Sequence, residues 1–222
     1  MVQYEYGNKD ATHVLVQMVG VHELSGLENE IALIRKEAGD DFSFVAFLAN
    51  DWNRDLSPWT AAPVFGKEGF GDGAADTLAS ILTELKENGK KYYLGGYSLA
   101  GLFALWSGYQ TDAFSGIAAA SPSIWFPGFI DYMRKENFRP ELVYLSLGDR
   151  EEKTKNAVMS KVGDGIRFAY EHFQNCGKKT VLEWNEGNHF KDADVRTAKA
   201  FAWLLKQEQE RSEQFSEILA SQ

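Results

Sequence analysis

Three short segments hold groups able to act together in covalent chemistry: a serine in "GGYSLAG", acids in "GDREEK" and a histidine in "EGNHF". A serine hydroxyl is a weak nucleophile until a neighbouring imidazole takes its proton, and that imidazole needs a carboxylate to hold its tautomer. The chemistry implied is acyl transfer. Tyr92, Tyr93 and Leu94 favour a strand, Gly95 and Gly96 permit a sharp bend, and Leu99 to Leu105 carries apolar residues at helical spacing. Ser98 therefore falls at a strand-to-helix corner, which lifts its Oγ clear of the backbone. The same corner puts the Leu99 amide at a helix N-terminus, facing a developing oxyanion. The shoulders of the turn must be small, and here they are Gly96 and Ala100. Glycine is usual at the second, so Ala100 is a departure.

In an architecture whose chain order is serine, acid, histidine, the base belongs late, on the loop after the last strand. His189 follows the predicted strand "TVLEW" and precedes the final helix, so it is the expected general base. His172 lies within an amphipathic helix and His13 at a strand start, both as packed or solvated side chains, while His22 sits near the mouth of the site. The acid is expected in "LSLGDREEKTKN". Glu151 is favoured because the chain must turn after Gly148 before a side chain can reach the histidine; Asp149 is its rival. A leftover carboxylate there would face a helix dipole or pair with Lys153 or Lys155. A second oxyanion donor is expected after "VLVQMVG", where Gly20 turns the chain and the Val21 amide faces the pocket, with His22 as the alternative donor. No metal is implied, since no two histidines stand at ligand spacing and "DGAAD" lacks the remaining oxygen ligands of a calcium loop. "GKEGFGDG" is no phosphate cradle, because its lysine precedes the glycines. No cofactor is implied either.

The elements that must position these groups alternate between strand and helix, the pattern of an α/β fold whose mostly parallel sheet carries helices on both faces. "THVLVQMVG", "FSFVAFLAN", "KYYLGGY", "FSGIAAASPSIW", "ELVYLSLGD" and "TVLEWNEGNHF" read as strands, which makes a sheet of about six. "LENEIALIRKEAG" and "AADTLASILTELKENG" read as helices, with others around Ile130 to Lys135 and Thr154 to Gln174. The long segment from Asp51 to Gly73 lacks periodicity but holds Trp52 and Trp59, so a functional loop is expected there. With Trp125 and Phe126 these tryptophans are expected to wall an apolar substrate pocket. Residues 1–222 read as one domain with a core of about 12–205, and 206–222 as a polar helical tail with Val195, Ala198, Ala202 and Leu205 making the core stripe just before it.

The chain has 222 residues and a formal net charge of -9, a field that repels phosphate backbones and anionic membranes. Nucleic acid and membranes are thus excluded as expected partners, and no window approaches the roughly 20 apolar residues of a membrane span. The N-terminus lacks a basic stretch followed by an apolar one, and Cys176 is the single cysteine, ruling out an internal disulfide. A cytoplasmic location is the resulting expectation.

"GGYSLAGLFALW", "SPSIWF", "GDREEK" and "EGNHF", with "NRDLSPW" and "GDGAADTL" upstream, make the chain resemble the esterase branch of the α/β hydrolases that includes S-formylglutathione hydrolases and enterochelin-type esterases. The resemblance implies the α/β-hydrolase fold without a lid domain. It also implies Ser98 as nucleophile, His189 as base, an acid in "GDRE", oxyanion amides at Leu99 and Val21, and Arg54 as the residue that orders the long loop. The expected activity is hydrolysis of a small ester through an acyl-enzyme. A thioesterase or siderophore-lactone hydrolase would use the same triad, and a catalytically inert binding protein of the same fold is the alternative from another class.

Overall fold

The computed structural model describes residues 1–85 and 89–220. Strands β1 (Gln3–Gly7), β2 (His13–Val19), β3 (Ser43–Leu48), β4 (Lys91–Tyr97), β5 (Phe114–Ala120), β6 (Leu142–Gly148) and β7 (Lys179–Asn185) form one seven-stranded sheet in the order β1-β3-β2-β4-β5-β6-β7. The six expected strands are all parallel neighbours. β1 is the addition: it pairs antiparallel with β3 at the edge, Gln3 opposite Phe47, and so carries the sheet upstream of residue 12.

The central strands are buried on both sides, and their period of two sends alternate residues into different layers. Val14, Val16 and Met18 of β2 face a core shared with helices α3 (Ala74–Glu84), α4 (Leu99–Gln110), α5 (Phe129–Lys135) and α6 (Val162–Asn175). Leu15 and Val19 face the opposite core, made with α1 (Leu27–Ala38) and α7 (Ala193–Ala220). α1 buries Leu27, Ile31, Ile34 and Ala38 along one side and stops at Gly39, whose φ is 83°. The tail of "AADTLASILTELKENG" and residues 221–222 lie partly or wholly outside the described residues, which do include α3 to Glu84.

The helix expected from Thr154 begins only at Val162. Asn156 explains the delay: its Oδ1 accepts the amides of Val158 and Met159, and its Nδ2 donates to the Val64 carbonyl at 2.6 Å, tying this segment to the long loop. That loop, 51–73, opens with the short helix α2 (Trp52–Asp55) and closes with a bridge between Ala61 and Phe70. Asp55 orders its start, its Oδ2 accepting the amides of Asn50 and Asp51. Arg54 joins the two ends of the loop through its backbone, its carbonyl accepting the Gly73 amide at 2.9 Å, while its exposed guanidinium pairs with its neighbour Asp55. α7 continues the chain past residue 206, with Gln207 and Glu208 buried and Lys206 paired to Glu37 of α1. No helix among the described residues is long and apolar enough to cross a membrane.

Candidate active site

Parallel strands bring the ends of β2, β4, β6 and β7 to one edge of the sheet, and every segment singled out for chemistry leaves the sheet there. Ser98 occupies the corner between β4 and α4 with φ 57° and ψ -119°, a left-handed conformation that a non-glycine residue holds only under constraint. Part of the constraint is hydrogen bonding, since the Ser98 amide donates to Ala120 O at 3.1 Å and its carbonyl accepts from Ser123 N at 2.9 Å. The rest is close packing. A Cβ on Gly96 would lie 2.5 Å from the Ala100 Cβ and 2.9 Å from the Ala100 carbonyl carbon, so the first shoulder must be glycine.

Ser98 Oγ lies 2.9 Å from His189 Nε2, and His189 Nδ1 lies 2.7 Å from Glu151 Oε2. The three residues form one continuous line of hydrogen bonds. Asp149, the rival acid, instead accepts the Gly187 amide at 2.8 Å and so fastens the loop that carries His189. Glu152 is the leftover carboxylate, held by Arg167 through two hydrogen bonds. Among the remaining histidines, His13 contacts Tyr93 OH and His172 stacks on Phe168, both away from this line.

Glu151 is buried, and its other oxygen accepts from the Gly148 amide (2.7 Å), Ser121 Oγ (2.8 Å) and Arg196 Nη1 (2.8 Å). Burial works to raise its pKa; the hydrogen bond and charge of His189, with the Gly148 amide and Ser121 hydroxyl, outweigh that and hold it below the usual carboxylate value. Arg196 is the residue of this candidate site that sequence reading misses. It is 1% exposed, yet it reaches Tyr97 OH and Ser121 Oγ as well as Glu151, and its Nη2 donates to the carbonyls of Glu186 and Asn188 in the loop just before the histidine. The signal was present, because Arg196 lies on the same face as the buried Ala200 and Leu204, where a cation needs a buried anion. Tyr97 completes the frame by donating to the His189 carbonyl at 2.7 Å, and burial pushes its pKa to about 12, so the phenol stays protonated.

Leu99 opens α4, so its amide lies in the first turn, which has no carbonyl of its own helix to meet. Val21 opens a short 3₁₀ helix, Val21–Gly26, directly after β2, and the residue is 72% exposed. Glu23 fixes that turn, its Oε2 accepting the Gly20 amide at 2.8 Å while its own amide donates to Gly20 O. His22 leans edge-on against Trp52, the two rings 5.3 Å apart at the mouth.

A cavity of about 360 Å³ opens beside Ser98 and His189, with Trp52, Glu23, Glu30 and Asp194 in its wall and Phe190, 89% exposed, at its rim. A second depression lies across His189, lined by Trp125, Met159, Arg150 and Lys153. Trp52 and Trp125 thus stand on either side of the histidine. Trp59 does not line either space. Its indole N–H needs a partner when packed and finds Pro127 O at 2.9 Å, while the ring packs among Phe126, Phe129 and Tyr132. It anchors the long loop to α5.

The fold matches solved structures. An IroE-like serine hydrolase from Shewanella oneidensis superposes with TM-score 0.72 at 18% identity, over 92% of this chain and 75% of that one. The chain has the α/β-hydrolase fold. Siderophore hydrolase EstA from Aspergillus nidulans gives TM-score 0.64 at 17% identity, covering 93% and 94% of the two chains. Enterobactin esterase FES from Shigella flexneri gives 0.62 at 12% identity, over 91% of this chain and 55% of that one. No protein-family model and no curated protein matches the sequence.

Proposed function

We propose that the protein is a serine hydrolase of small carboxylic esters, with Ser98 as nucleophile, His189 as general base and acid, and Glu151 as the carboxylate that orients His189. The single observation that carries this reading is the line from Ser98 Oγ through His189 Nε2 and Nδ1 to Glu151 Oε2, with contacts of 2.9 and 2.7 Å. Fold likeness to structures described as a serine hydrolase and as siderophore and enterobactin esterases supports the same class.

The reaction follows from the geometry. His189 Nε2 takes the Ser98 proton as Oγ bonds to the ester carbonyl carbon, and the carbonyl π pair moves to oxygen. The Leu99 and Val21 amides are the donors in this reading, both free of strand and helix bonding by position. The imidazolium then protonates the departing alkoxide and leaves an acyl group on Ser98. Water, deprotonated by the same nitrogen, attacks the acyl carbon; collapse releases the acid and returns the proton to Ser98. Glu151 stays ionised throughout, held low in pKa and facing the imidazolium.

An inert hydrolase-shaped binder is the alternative suggested by two candidate acids and by the Ala100 shoulder, and the absence of a Cβ at Gly96 supplies the room that alanine takes up. The test is turnover of p-nitrophenyl butyrate: Ser98→Ala is expected to lower kcat/KM by about 10⁴-fold or more with unchanged circular dichroism. Full activity in that folded variant would rule the reading out.

A further inference from the structure

Glu30 stands where the apolar stripe of α1 would place another hydrophobe, beside Leu27, Ile31 and Ile34. It is 3% exposed and lines the cavity next to Ser98. One oxygen accepts from Gln17 Nε2 at 3.3 Å; the other, Oε1, has no partner among the described residues, and neither has Gln17 Oε1. A buried carboxyl left half-satisfied is costly. The triad makes no use of it, and a leucine there would complete the stripe, so its retention calls for a ligand.

The surroundings indicate which kind. Glu23 and Asp194 share the same wall, and no lysine or arginine is among the residues lining it. Trp52 adds an indole, a surface that attracts cations. The carboxyls of Glu23, Glu30 and Asp194 do not converge as a metal site, since no group of three such side chains among the described residues could hold an ion. Acceptors and an indole, with no lysine or arginine and with His22, its Nε2 3.9 Å from Glu23 Oε2, as the imidazole on this wall besides His189, match a protonated amine. We propose that this cavity receives an ammonium group, so that the ester cleaved at Ser98 carries a basic amine on one of its arms. This rests on the ester-hydrolase reading and narrows it to a substrate class. Burial supports it, pushing Glu23 up to about 7 and Glu30 well above the usual carboxylate range, because each of these groups gains most from a cation that restores its charge.

The test uses matched pairs at pH 7.5. For the alcohol arm, 2-(dimethylamino)ethyl butyrate is compared with its carbon isostere 3-methylbutyl butyrate. For the acyl arm, ethyl 4-(dimethylamino)butanoate is compared with ethyl 5-methylhexanoate. In at least one arm the ammonium ester is expected to have about tenfold higher kcat/KM, the scale of one charge-assisted contact, and Glu30→Gln is expected to collapse that ratio toward one. Glu30→Leu, which removes the buried carboxyl and completes the apolar stripe, is the second variant should the amide fold poorly. A ratio of one or less in both arms, or a ratio that survives both variants, overturns the proposal while leaving ester hydrolysis standing. Titration of Ser98→Ala protein with 3-methylbutylammonium chloride reads the site without turnover. Saturable binding weakened about tenfold by Glu30→Gln supports the ammonium site even if no ester is cleaved, an outcome that would count against the hydrolase reading alone. No binding counts against the ammonium site alone.

Discussion

Arg196 shows how much of a site can depend on one side chain that never touches a substrate. Its guanidinium joins Glu151 to Tyr97, to Ser121 and to the carbonyls of Glu186 and Asn188 just before His189, so it fixes the acid and the histidine loop together. Removing it would leave Glu151 buried beside an unanswered set of acceptors. Arg196→Met is expected to cost about 3–5 kcal/mol of stability, read as a lower urea midpoint, and to reduce kcat more than it raises KM. Arg196→Lys should restore part of the stability, because the charge returns without the fork that reaches the two carbonyls. At this scale Ser98 and His189 were legible, since each lies at a strand end with distinctive neighbours. Glu151 was legible only as a preference over Asp149, because two carboxylates on one short turn differ in direction and not in spacing. Arg196 and Ser121 were missed. Their partners come from β4, β6 and the histidine loop, and no local pattern records such a convergence.

The serine corner is the element on which the site turns, and its shape depends on the Gly96 and Ala100 pair. A methyl at 96 would meet the Ala100 Cβ at 2.5 Å and the Ala100 carbonyl carbon at 2.9 Å, so β4 and α4 would be pushed apart where Ser98 is held at positive φ. Gly96→Ala is expected to destabilise the fold by about 1–3 kcal/mol and to slow acylation more than a surface control, measured by stopped-flow release of p-nitrophenol. The buried strands were readable because unbroken apolar runs of this length bounded by turns fit a sheet covered on both faces. β1 was not, for "QYEYG" is short, polar on alternate positions and at the edge, where pairing with β3 and not composition makes it a strand. The delayed start of α6 was hidden for a related reason. The Asn156 side chain takes amides that a helix would have used and spends its donor on the Val64 carbonyl, in a loop that sequence patterns could only describe as irregular.

Across the whole molecule the fold hides carboxyls of opposite character. Glu23 and Glu30 are raised by burial, so the folded state holds protons that the unfolded state releases above about pH 4.5; their presence therefore lowers stability as pH rises toward 7 and beyond. Glu151 is lowered, so it contributes stability that is present above its unfolded pKa and lost as pH falls through its folded one. Urea midpoints compared at about pH 5 and pH 8 are expected to fall on the alkaline side for the wild type and to fall less for Glu30→Gln; equal slopes would contradict the burial argument. The acidic balance of the chain, -9 overall, was plain from composition, but the location of two protonatable groups inside a cavity was not. Helical spacing put Glu30 on the buried stripe, and nothing in the sequence told that face apart from a mixed surface. The whole account rests on Ser98 being made nucleophilic by His189. The most direct measurement is labelling of the folded protein with a fluorophosphonate, followed by peptide mass spectrometry. One label per chain on Ser98, abolished by His189→Ala, is the expected result; an unlabelled protein, or labelling that persists without the histidine, would contradict it.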